Sequence, residues 1–123
     1  MDVFQPNTVD MTAHGAEAGM ESTLMLVVVA QESKNYEEMC RLMKKILLVK
    51  KHQMSCTERS LFEKGYKKRV DRMREGIRKI DFFMAQERFK KYEKSMLIFK
   101  IKITREIIDI CRQVLDLCNR KVL

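Results

Sequence analysis

From Phe62 to Met84 an apolar side chain returns every three or four residues: Phe62, Tyr66, Val70, Met73, Ile77, Ile80, Met84. Only an α-helix, with 3.6 residues per turn, places such a series on one stripe, so the spacing predicts one long helix. The stripe runs through a charged setting, because Gly65–Ile80 alone holds nine charged side chains. A helix of this kind buries its apolar stripe and shows water its ions.

The flanking sequence repeats the pattern. Ser55 and Glu58 have the spacing of a capping box, with Thr57 an alternative cap, so the long helix is expected to begin there and reach Arg88 or beyond. Upstream, Tyr36, Met39, Cys40, Met43, Ile46 and Leu47 predict a second helix ending near Lys50. A first helix is expected over Ser22–Ser33, although its three consecutive valines also suit a strand. After the polar patch "ERFKKYEK", the last helix builds a face from Ile103, Ile107, Ile110, Val114 and Leu117. A second row, Ile101, Ile108, Leu115 and Val122, recurs beside it every seven residues, which suggests packing against more than one neighbour.

With four glycines and one proline in 123 residues, helix is favoured over sheet throughout. The expected fold is all-α, an antiparallel helical bundle of two short helices followed by two long ones. It forms a single domain over residues 21–123 behind a flexible leader, residues 1–20, that holds the proline.

Charge and chemistry narrow the function. Residues 1–32 carry five acids and no Lys or Arg; the rest holds all 25 cations against 12 acids, a net +13. Such a body attracts anions, whether phosphoproteins, nucleic acid or an acidic membrane surface. "TLMLVVVA" is far shorter than the ~20 residues a bilayer span needs, and no basic segment precedes it as in a signal peptide. Cys40, Cys56, Cys111 and Cys118 lack metal or redox spacing and read as reduced, part-buried thiols, which places the chain in the cytoplasm or nucleus. His14 and His52 fall in leader or loop without a periodic Asp, Ser or Cys partner, and no phosphate loop or nucleophile elbow is present. Neither an enzyme nor a cofactor is expected.

On the helical wheel Lys67, Asp71, Arg74 and Arg78 share one face. Cations fixed on a rigid face can grip a phosphate, Arg by its planar fork and Lys as a point charge. The same spacing also suits a solvated face in which Asp71 pairs with Arg74 or Arg78.

Three blocks, "NYEEMCRLMKKI" (35–46), "SCTERSLFEKGYKKRV" (55–70) and "DICRQVLDLC" (109–118), resemble the first four helices of the 14-3-3 proteins in order and near-spacing. The resemblance implies an antiparallel helical fold, a homodimer or a heterodimer with full-length relatives, and a groove for phosphoserine or phosphothreonine peptides. It assigns Lys67 and Arg74 to the phosphate, with Arg78 beside them. It also assigns the dimer interface: Glu38 pairing with Lys102, apolar contacts from Val29, Ile80, Phe83 and Phe99, and Glu106, whose basic partner position is here Asn35. The family's remaining phosphate and peptide ligands correspond to positions beyond Leu123, so weak or lost phosphopeptide binding is expected. The family is also characteristically acidic, whereas this chain is +8, and Met73 stands where the family has an arginine. The alternative is a basic helical module for nucleic acid or anionic membrane. No reading head for base edges is evident, and no specific nucleic acid or membrane span is expected.

Overall fold

The computed structural model describes residues 13–119, and no strand occurs among them. Four α-helices follow in order: α1 (Ala13–Glu32), α2 (Tyr36–Lys50), α3 (Cys56–Met84) and α4 (Glu93–Asn119). Short 3-10 turns, Lys51–Gln53 and Glu87–Tyr92, precede α3 and α4. The expected all-α fold is thus correct, and α3 and α4 exceed α1 and α2 in length.

The first helix corrects two expectations. It starts at Ala13, so residues 13–20 of the expected leader are helical; residues 1–12 lie outside the described residues. The reason is compositional, because Ala13, Ala16 and Ala18 are the best helix formers and no proline follows Pro6. The strand alternative for the valines also fails. Val27 is fully buried and Ala30 nearly so, on a face packed against α2, and that burial outweighs a small propensity deficit.

The chain divides within α3, between Gly65 and Tyr66, into two compact units. In the first, α1 ends in a left-handed residue, Lys34, with φ 59°. Asn35 N–H donates to Ala30 O (2.9 Å) and Lys34 N–H to Gln31 O (3.0 Å), the paired bonds of a Schellman motif. The Asn35 side chain then caps α2 by accepting from Glu38 N–H, so the chain reverses within three residues. α2 supplies most of the core: Met39, Cys40, Leu42, Met43, Ile46 and Leu47 are all buried. The start of α3 closes it with Phe62, and Gly65 allows close approach. A Cβ there would lie 3.3 Å from Met39 Cγ and 3.4 Å from its Sδ.

The capping box forms as expected, on Ser55. Glu58 N–H donates to Ser55 Oγ (3.1 Å), and Ser55 N–H donates back to Glu58 Oε1 (2.8 Å). Glu58 is also buried and bridged by Lys50 Nζ at 2.6 Å. Burial pushes its carboxyl up, but the bonds from Lys50 and Ser55 and the Lys50 charge outweigh that and hold it below the usual glutamate value of 4.5. A carboxyl with a lowered folded pKa stabilises the fold above its unfolded pKa and loses that contribution as pH falls through the folded value. Glu58→Gln is therefore expected to cost about 1–3 kcal/mol at pH 7. The variant's stability should decline less than the parent's between pH 5 and pH 3 in urea melts; equal declines would deny Glu58 this role.

In the second unit α3 and α4 run antiparallel. Asp81 bonds Lys100 Nζ at 2.7 Å, and Gly76 faces Ile103, so residue numbers fall on one helix as they rise on the other. Ile80, Ile110 and Leu117 are its buried apolar side chains together with Tyr66. α3 stops at Met84, short of the expected Arg88. Phe82 and Phe83 in its last turn form an edge-to-face cluster with Phe89 beyond it, both centroid distances 5.6 Å, and Arg88 stacks on Phe89. The row Ile101, Ile108, Leu115 does not pack, since all three are exposed; Val122 lies outside the described residues.

Candidate functional site

Seven residues separate Lys67 from Arg74, two turns or about 10 Å along α3. Both side chains are exposed, and neither makes an ion pair among the described residues. Asp71 lies between them on the same face without closing the expected pair. Arg78 instead donates to Glu75 one turn back, at 2.6 Å. That hydrogen bond and the Arg78 charge hold the Glu75 carboxyl below its usual range. The face therefore presents two free cations and a third that is locally neutralised. Behind it, the α3 stripe is buried or half-buried from Tyr66 to Met84, except where charged residues intervene, so backbone and cations are held on one rigid rod.

The expected dimer positions divide. Val29, Phe83 and Phe99 are 54%, 44% and 53% exposed, a large apolar area for three side chains. Lys102 and Glu106 are also exposed, on the rim of a shallow depression of α4 lined by Ile98, Ile101 and Arg105. Two positions are already engaged within the chain. Ile80 is only 9% exposed because it belongs to the inner stripe of α3, which leaves little of it for a partner. Glu38 is engaged within its own helix, where Arg41 Nε donates to its Oε1 at 2.6 Å and Nη2 adds a second contact. The three-residue spacing of Glu38 and Arg41 was a readable signal for that pair.

No disulfide joins the cysteines among the described residues; Cys40 is buried, whereas Cys56, Cys111 and Cys118 are exposed, not part-buried. His14 falls in the first turn of α1, and His52 is an exposed residue whose carbonyl accepts from Arg59 Nη2 (3.1 Å). Among the described residues no group of three or more His, Cys, Asp or Glu could hold a metal ion, and no helix is long and apolar enough to cross a membrane.

Comparison with known proteins agrees with the all-α fold. No curated protein matches the chain. The family model described as 14-3-3 protein matches residues 26–123, from the middle of α1 through the whole of α2, α3 and α4. The chain belongs to the 14-3-3 protein family.

Proposed function

We propose that this chain is a non-enzymatic adaptor: a 14-3-3-type helical unit that pairs with itself or with a full-length 14-3-3 relative, and lends Lys67 and Arg74 to a phosphorylated serine or threonine of a client. The observation that carries the reading is the pair of unpaired cations on one face of α3, beside an Arg78 already engaged by Glu75. A phosphate dianion facing them gains charge-assisted hydrogen bonds worth about 1.5–3 kcal/mol apiece. Two such contacts supply about 3–6 kcal/mol, which corresponds to dissociation constants from about 10 mM to about 50 μM. Phosphopeptide capture by these residues is therefore weak, and pairing with a relative would raise it by adding a second site.

Exposed Val29, Phe83 and Phe99 support pairing through apolar burial, since Glu38 is held by Arg41 and an exposed ion pair contributes little. The phosphate reading is tested by fluorescence anisotropy with one peptide in phosphoserine and serine forms. Phosphate-dependent binding that weakens with salt supports it; equal binding of both forms rejects it.

A further inference from the structure

α4 is apolar on two opposite sides. Ile110 and Leu117 are buried, whereas Ile101 and Ile108, each nine residues earlier and so half a turn around the helix, are exposed. Leu115 continues the exposed row at the same seven-residue step, 60% exposed, and Ile98 flanks its start at 61%. Exposed single apolar residues are ordinary; a continuous seven-spaced row over nearly four turns is the pattern that winds a second helix alongside. This row is separate from the α3 cations and lies nearly opposite Phe99 around α4, while Lys102 borders it at the Ile98–Ile101 depression.

The charges beside the row restrict what can cover it. Arg105 and Arg112 fall between its rungs, at the alternate positions of the same heptad, exposed and without an ion pair among the described residues. Arg105 also lines the depression with Ile98, Ile101, Lys102 and Glu106. A second copy is a poor occupant. In parallel register Arg105 meets Arg105 and Arg112 meets Arg112; antiparallel about the point midway between Ile108 and Asp109, Arg105 meets Arg112. Like charges set into an apolar seam oppose association. A helix that carries leucines at the apolar positions and carboxylates opposite the arginines satisfies both features.

We infer that the outer face of α4, Ile98–Ile101–Arg105–Ile108–Arg112–Leu115, is a docking seam for an acidic amphipathic helix of a partner protein. The test uses the whole chain and two labelled synthetic helices with leucine at heptad d positions, opposite the apolar row, and either glutamate or lysine at a positions, opposite the arginines, read by anisotropy. The glutamate helix should bind at least tenfold more tightly than the lysine helix. Ile101→Ser/Ile108→Ser should weaken it at least tenfold with circular dichroism unchanged, and Arg105→Ala/Arg112→Ala should abolish the preference for glutamate. Because the serine variant keeps every cation, unchanged binding by it would reduce the effect to net charge and overturn the inference. Equal binding of the two helices would overturn it too. So would self-association, or binding to vesicles of anionic lipid, that the serine variant loses while the glutamate helix fails to bind.

Discussion

Phe62→Ala is expected to lower the unfolding free energy by about 3–5 kcal/mol, the range for truncating a fully buried aromatic ring. Phe62 is 2% exposed and enters a core made largely by Met39, Met43, Ile46 and Leu47, all of them fully buried. Gly65, one turn on, holds α3 so close to Met39 that the backbone has little room to collapse into the vacated space. Small domains have total stabilities of about 5–15 kcal/mol, so this one change should remove a large share. In urea melts followed by circular dichroism the midpoint should fall sharply at constant slope. The control is Phe82→Ala: that ring is 65% exposed, and its loss should shift stability by no more than about 0.5 kcal/mol. Equal effects from the two substitutions would mean that the core has been misassigned.

Charge reversal on the α3 face is expected to have the largest effect on binding. Lys67→Glu/Arg74→Glu removes both free cations and sets two carboxylates against the phosphate. Each lost contact, at about 1.5–3 kcal/mol, corresponds to roughly a tenfold to hundredfold change. The double variant should therefore show no phosphate-dependent binding, while Arg78→Ala should lose much less because Glu75 already occupies Arg78. All three side chains are exposed, so helix content should not change. An unaffected double variant, or an Arg78 effect larger than that of Arg74, would place the phosphate elsewhere.

What the sequence revealed depended on the range of the interaction. The Ser55–Glu58 box was readable because its two hydrogen bonds close within four residues. The α2 and α3 stripes were readable because periodicity fixes which side faces inward, and Met39, Met43, Phe62 and Tyr66 are buried accordingly. The start of α1 was not, since Gly15, Gly19 and the nearby Pro6 read as loop while the alanines between them set the helix. The α3 terminus was also missed. The chain turns at Ala85–Gln86 with neither Gly nor Pro to mark the stop, and Phe89 packs on Phe83.

At the candidate site, the face shared by Lys67, Arg74 and Arg78 followed from helical spacing alone. Which carboxylate took Arg78 did not: Asp71 shares its face but lies seven residues away, about 10 Å along the axis, whereas Glu75, three residues back, is the direct neighbour that pairs. Likewise Glu38 could serve Arg41 or a partner chain, and only the fold shows Arg41 holding it. The second α4 row was visible as a pattern, yet periodicity cannot tell a row that packs from one that stays in water.

Sedimentation equilibrium of the purified chain, alone and mixed with a full-length 14-3-3 protein, tests the adaptor reading most directly. The account predicts a dimer in at least one of the two samples, converted to monomer by Val29→Asp/Phe99→Asp with helix content preserved. Monomers in both samples at several hundred micromolar would contradict it.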